Sequence, residues 1–457
     1  MTLRAPVVVT ATICSLSASL PCYSQTGEAA PPGFSSIPFR FAPPGARSLS
    51  MGGAFIAVAD DATAGEANPA GLINMSKREV SIHLQHARFD VQVLDPVAIV
   101  PPSPTFPLLP SVSLQATMNS ASYVSVVLPY GRIATSAYYQ QISRFSADRE
   151  SIMTRANDGT SFPAFPPQTI NTDARERVDF LLDAIGIAVA AEVIPQRLSL
   201  GVSLRRDRLR WRHAVELTQE LGLAYGRSGE ITFFGTNFVR STSDAQDAAL
   251  SINAGLLYKP SDRLSGGLVY KHGGRHTIPG HVSRMYFALD SHFPSPFSCP
   301  VDRLPRPAGV HCVVSQHSTT TTFDIPDFYG AGIAWRPTEH LLVTGAATRI
   351  TYSDLRSTGA EFQYVPTTQI RVEPAADGNE YRLGAEYTLL IGQRGTPLSI
   401  LAGTFTDNDH DGLGTIDSAQ RHFSFGVGTV VSNHIQIDVG AQVARTTKEW
   451  LLSFVFR

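Results

Sequence analysis

Three aspartates at alternate positions, Asp407, Asp409 and Asp411 in the run Asp-Asn-Asp-His-Asp-Gly, place carboxylates at the spacing of the first half of a calcium loop. Such a loop closes on a bidentate Glu at its twelfth position. Here Ser418 stands there and no helical pattern flanks the run, so a plain polar turn competes with structural calcium, the only cofactor this chain suggests. His281, His292, His311 and His317 fall in one region and read as solvated residues rather than a metal site. A Gly-x-Ser-x-Gly elbow, a His-Glu-x-x-His pair and a phosphate-cradling Gly-rich loop are all absent from the sequence, so no enzyme is announced. Cys299 and Cys312 are candidates for one disulfide closing a Pro-rich loop if the chain is exported, worth roughly 3 kcal/mol in the chain-entropy model.

Export is what the N-terminus implies. Arg4, the apolar stretch from Ala5 to Leu20 and the small polar residues after it lay out a cleaved secretory signal over residues 1–24, which takes Cys14 and Cys22 with it. No later apolar run approaches the ~20 residues of a membrane-spanning helix. With 17% charged residues and a net charge of -2, nothing in the composition resembles a polyanion-binding surface, and a nucleic-acid partner is not expected.

The recurring signal has period two. Ile435, Ile437, Val439, Ala441 and Val443 alternate with polar or small residues, as do Leu198, Leu200, Val202 and Leu204, and Tyr381, Leu383, Ala385, Tyr387 and Leu389. Turn-forming stretches beginning at 128, 194, 259, 336, 391 and 431 join strands in six hairpins. Adding a first strand from Arg78 to Phe89 and a last from Trp450 to Arg457 gives fourteen. Short turns on one side, long connections on the other (residues 143–178 and 276–322 among them) and aromatics near strand ends describe an all-β, fourteen-stranded antiparallel transmembrane barrel over residues 77–457. The last strand sets Trp450, Leu452, Phe454 and Phe456 on one face. It resembles the C-terminal signal read by the barrel assembly machinery, a partner during biogenesis, although it ends on Arg457.

Such a barrel is too wide for its own side chains to fill, and residues 25–76, ahead of the first strand, suit a plug or hatch. Gly45, Gly52 and Gly53 permit tight turns and close approach to a wall. Asp60 and Asp61 are expected to pair with inward arginines such as Arg205 or Arg382. Asn68, before Pro69 and Ala70, is pushed toward an extended conformation in which its amide can bond the wall. The stretch from Pro44 to Leu72, ending in Asn68-Pro69-Ala70, resembles the N-terminal hatch of the long-chain fatty acid transporter (FadL) family of outer-membrane proteins, which includes the toluene and hydrocarbon channels. Residues 407–429 resemble a loop and the twelfth strand of that family. The resemblance implies passive uptake across a Gram-negative outer membrane, with cargo captured by outer loops and released sideways through a wall gap near a kink of the third strand. Gly131 is the kink candidate.

Two outer loops are unusually apolar. One carries Phe106, Leu108 and Leu109 among prolines, the other Met285, Tyr286, Phe287, Phe293 and Phe297. An exposed apolar surface marks a binding site for apolar ligands, or these residues pack on one another as a small loop core. The expected partners are thus long-chain fatty acids or other hydrophobic small molecules, with outer-membrane lipid and lipopolysaccharide around a monomeric barrel. A structural or secretion-associated barrel that binds protein partners is the alternative reading, and an outer-membrane hydrolase a third.

Overall fold

A computed structural model of the chain describes residues 41–94, 111–157, 168–220, 223–225, 231–233, 237–288, 311–355, 377–392, 395–408, 419–432 and 434–457. The expected signal segment, Phe106, Leu108, Leu109, His292, Phe293, Phe297, Cys299, Asp409 and Asp411 lie outside the described residues. The alternating segments form fourteen barrel strands. They are β1 (Glu79–Leu94), β2 (Ser111–Tyr130), β3 (Ile133–Asn157), β4 (Gln168–Ile194), β5 (Leu198–Glu220), β6 (Asn237–Ser261), β7 in two segments (Leu264–His272 and Arg275–Ala288), β8 in two segments (His311–Asp324 and Phe328–Trp335), β9 (Leu341–Ile350), β10 (Gly378–Ile391), β11 (Thr396–Asn408), β12 (Ala419–Val431), β13 (Ile435–Val443) and β14 (Thr447–Phe456). All pairings are antiparallel, and β14 closes the ring on β1 from Val80↔Phe456 to Phe89↔Thr447. Closure pairs the first strand with the last, so the sheet has no terminal edge strand.

All six hairpin turns fall where the sequence places them. Outside, the period-two pattern exposes Ile185, Ile187 and Val189 on β4, Leu200, Val202 and Leu204 on β5 and Phe423, Phe425 and Val427 on β12. Aromatics border this band on both sides, with Tyr270, Tyr329, Tyr381 and Trp450 at one height and Tyr258, Trp335, Tyr387 and Phe456 at the other. From Tyr329 to Trp335 is about 20 Å along the strand at ~3.3 Å per residue, which suits the apolar belt of a barrel in an outer membrane.

Two expected loops turn out to be mostly strand. β3 runs on to Asn157 and β4 starts at Gln168, inside the region 143–178, while β7 and β8 reach Ala288 and His311 inside 276–322. These extensions are polar on their exposed faces, so hydropathy hides them, yet their ladders continue and are tied across strands by pairs such as Arg177–Asp148 at 2.9 Å. Met285, Tyr286, Phe287 and Cys312 accordingly belong to the backbone ladder between β7 and β8 rather than to a loop. β7 and β8 bend together at Gly273–Gly274 and at 325–327. There the Ile325 N–H donates to the Gly274 carbonyl (3.0 Å), and a Cβ on Gly273 would stand 1.9 Å from the Ile325 oxygen.

The segment 41–76 carries two short helices, α1 (Ala46–Ser50) and α2 (Ala64–Ala67), and a 3-10 turn, Pro69–Asn74. Its residues are almost all buried. α1 packs on β11–β14, whereas α2 and the 3-10 turn pack on β2–β6, so the segment meets opposite arcs of the ring. Wall glycines admit it: a Cβ on Gly201 would lie 2.3 Å from the Pro69 carbonyl carbon, and one on Gly403 2.3 Å from the Gly52 nitrogen. Such proximity requires a strand position without a side chain. Gly403→Val is therefore expected to cost about 1–3 kcal/mol by overpacking, lowering by several degrees the temperature at which the folded band is lost in a heat-modifiability gel. Gly266→Ala, whose Cβ meets only the Gly332 oxygen at 3.8 Å, should leave that temperature unchanged.

Candidate functional site

Glu66, the one acid of α2, is buried and gathers groups from four strands. Its carboxylate accepts from Lys271 Nζ at 2.7 Å, Asn253 Nδ2 at 2.8 Å, and Arg205 Nη1 and the Tyr138 hydroxyl at 3.3 Å each. Asp207 holds the other side of Arg205, with Nε 2.6 Å from Oδ1. Burial pushes the Glu66 carboxyl up, but Lys271 and then Arg205 outweigh it and hold the group below the ordinary glutamate value. Two cations and two anions thus form a neutral buried cluster. The expected partners of the aspartates are different ones. Asp60 pairs with Arg47, which also reaches Glu386 at 2.6 Å, and with Arg336 at 3.4 Å. Asp61 accepts from the backbone N–H (2.8 Å) and hydroxyl (2.5 Å) of Thr63, and burial raises its carboxyl. Arg205 serves Glu66, and Arg382 donates to the Gly52 carbonyl at 3.1 Å while pairing with Glu380. The sequence offered no way to choose among several inward carboxylates and cations.

Beside the Glu66 cluster, on the side away from the tight turns, the inner wall is apolar. Ile142, Phe145, Val178, Phe180, Leu182, Leu209, Trp211, Ile278, Ile325, Phe328 and Tyr352 form one buried cluster, against which Phe41 packs. Trp211 meets Phe180 edge-on at 5.9 Å, and Phe41 stacks on Phe328 at 6.3 Å. Between these residues and Glu66, Arg205 and Lys271 remains a cavity of only about 10 Å³, the room of a single water centre.

The wall has a seam next to this cluster. Among the described residues, β2 and β3 pair only from Tyr123↔Gln140 to Tyr130↔Ile133, although β2 begins at Ser111 and β3 continues to Asn157. A bulge between Gln141 and Ser143 interrupts the β3–β4 register, and another shift follows His83 in the β1–β2 register. The bulged Ile142 and its neighbour Phe145 are buried, and Gln141 Nε2 donates to Met118 Sδ across the seam at 2.8 Å. Gly131, the kink candidate, sits elsewhere. It holds the tight β2–β3 turn with φ +63°, a conformation glycine adopts without strain, and no atom lies within 4 Å of its would-be Cβ. The irregularity of the third strand is at Ile142, and alternation alone could have exposed it, since Tyr138 and Gln140 point inward, as do Ile142 and Phe145.

A family model for an uncharacterised protein family, UPF0164, matches residues 28–105. No curated protein matches. The toluene transporter TodX of P. putida superposes with a TM-score of 0.56 at 13% identity, over 92% of this chain and 99% of that one. The Ralstonia pickettii toluene transporter TbuX gives 0.54 at 15%, with the same coverages. The CymD monoaromatic hydrocarbon channel gives 0.52 at 15%, over 92% and 98%. The chain has their fold.

At such identities the shared property is architecture, so the residues must be judged where they stand. Gly45, Gly52 and Gly53 take φ of +105°, +65° and +71° in the turns around α1. Asn68 is extended (φ -159°). Its Nδ2 donates to the Ile56 carbonyl at 2.9 Å and to the Leu256 carbonyl of β6 at 3.2 Å, and its Oδ1 accepts from Ala70 N at 3.2 Å. Pro69 and Ala70 open the 3-10 turn against β5, where Ser199 Oγ donates to the Ala70 carbonyl at 2.9 Å. Asp407 closes β11, with Oδ2 3.9 Å from His422 Nε2. Glu66, Lys271 and Trp211 were not foreseen from sequence. The signal available was a single glutamate in the small-residue run from Ala62 to Ala67, matched by a lysine and an arginine at inward positions of β7 and β5.

Proposed function

We propose that this protein is an outer-membrane channel for passive uptake of hydrophobic small molecules, in which residues 41–76 act as the hatch, the apolar cluster around Trp211 receives the cargo and the β2–β3 seam releases it sideways. The carrying observation is the conjunction of a greasy inner wall with a seam beside it and a wedged segment on its other flank. The fold of TodX, TbuX and CymD, described as toluene and monoaromatic hydrocarbon transporters or channels, supports the reading.

Charge chooses between cargo classes. Arg205 and Lys271 border the apolar cluster, but Glu66 and Asp207 neutralise them, so a carboxylate head would have to displace an existing ion pair. A neutral hydrocarbon meets no such cost, and it is favoured over a long-chain fatty acid. Uptake of radiolabelled toluene and oleate by cells with and without the gene tests this. Toluene uptake is expected to fall on deletion more than oleate uptake, and Trp211→Ala should reduce it several-fold with the barrel still assembled. Uptake of both unchanged by deletion, together with co-purifying protein partners, would instead favour the secretion-associated reading.

A further inference from the structure

The outward face of β5 changes character in one step. Leu200, Val202 and Leu204 face the lipid belt, and the next four outward positions are Arg206, Arg208, Arg210 and Arg212, all exposed. Across β4, Leu181 stands opposite both Arg210 and Arg144 of β3, while Ile185, the last exposed apolar residue of β4 before that strand turns polar, stands opposite Arg206. Among the described residues, carboxylates compensate only part of this charge: Asp183 binds Arg208 Nε at 2.7 Å, and Arg212 has Asp244 at 3.6 Å and Asp179 opposite it on β4. Like-charged side chains along one strand face repel, and the arrangement is stable only with counter-charge close by.

Height decides what supplies that charge. The arginines start where the lipid-facing side chains stop, the level at which lipid headgroups sit against a barrel. Guanidinium is also the side chain that engages phosphate oxygens bidentately.

We propose that this face of β3–β5 binds a phosphorylated lipid of the outer leaflet, its phosphates held by Arg144, Arg206 and Arg210 and its acyl chains lying over Ile185, Val202 and Leu204. The site is independent of the cargo reading. Because Arg144 follows the Ile142 bulge by two residues, the bound lipid would stand at the edge of the β2–β3 seam.

The test titrates the full-length protein in detergent with bisphosphorylated lipid A and with its dephosphorylated form, and reads bound lipid by native mass spectrometry. Phosphorylated lipid is expected to bind on the order of tenfold more tightly. The triple variant Arg144→Gln, Arg206→Gln, Arg210→Gln should lose that advantage. A second triple, Arg275→Gln, Arg349→Gln, Arg421→Gln, removes equal charge near the same height on β7, β9 and β12 and should keep it. Equal binding of the two lipids, an unaffected patch triple, or equal losses in both triples would each overturn the proposal. Should a triple fail the heat-modifiability check for folding, single Arg206→Gln and Arg421→Gln variants carry the same comparison, with about a threefold loss expected for the first only.

Discussion

Glu66→Gln is expected to loosen the 41–76 segment inside an otherwise intact barrel. The substitution keeps the side-chain volume but strips Lys271 of the carboxylate it bonds and leaves Arg205 with Asp207 alone. Breaking a buried pair from one side costs about 3–5 kcal/mol, because the remaining charge stays desolvated. That energy falls on the segment rather than on the barrel, whose ladders are untouched. The readouts are proteolysis within residues 41–76 of the folded protein and conductance in a planar bilayer, both expected to rise at least tenfold. Adding Lys271→Gln removes the stranded cation and should recover much of the loss; no recovery, or no change in the single variant, would show that Glu66 does not anchor the segment.

The same cluster sets a pH dependence. Glu66 is held below its ordinary value in the folded protein, so its contribution is fully present above the unfolded glutamate value of ~4.3 and is lost only as pH falls through the lower folded value. The wild-type segment should stay resistant to acid proteases throughout the range above the ordinary glutamate value and yield only once the pH has fallen below it. In the Glu66→Gln variant this acid transition should be absent, the segment being loose throughout.

The strands and their number were legible because a transmembrane barrel repeats one constraint along the chain: lipid on one face, small or polar groups on the other, a turn at each end. Gly131, Gln196 and Ser432, at φ of +63°, +57° and +55°, mark three of those turns, and each falls in a stretch with turn chemistry. Legibility failed where the constraint changes. Past the belt the exposed strand face turns polar and the alternation that marks a lipid-facing strand is lost, so Ser143–Asn157 and His311–Asp324 read as loops although their backbones are paired. The apolar cluster was hidden for the same reason: Phe145, Phe180 and Trp211 lie on or beside those extensions, among charged residues that break the lipid-facing alternation. The segment 41–76 showed its glycines and Asn68, whereas its ion partners depend on which inward position each strand register brings alongside. Gly201, Gly384 and Gly440, counted only as the small face of their strands, are among the wall positions where a Cβ would lie within 2.3 to 2.6 Å of the segment's backbone.

Deleting Ile142 is expected to abolish most hydrocarbon uptake without preventing assembly. The residue is the extra one on β3: Gln141 pairs with Asp183 and Ser143 with Leu182, so its removal makes the β3–β4 register continuous and leaves the inward or outward sense of every residue beyond it unchanged. A bulge bends its strand and locally ends pairing, and here β2–β3 pairing stops at Gln140, one residue before the bulge begins. With β3 straightened, the β2–β3 ladder, which among the described residues ends at Tyr123↔Gln140, can extend upward, each new hydrogen bond contributing about 0.5–1.5 kcal/mol, and the seam zips shut. Initial rates of labelled toluene uptake should fall by about tenfold or more if the seam is the exit, since a drop of that size needs only ~1.4 kcal/mol on the barrier. Ile142→Ala, which keeps the bulge and trims one apolar side chain, should lose less than threefold. Were the deletion to transport normally while its heat-modifiability matched wild type, the cargo would have to leave past the 41–76 segment, and the Glu66→Gln variant would then raise uptake rather than merely leak.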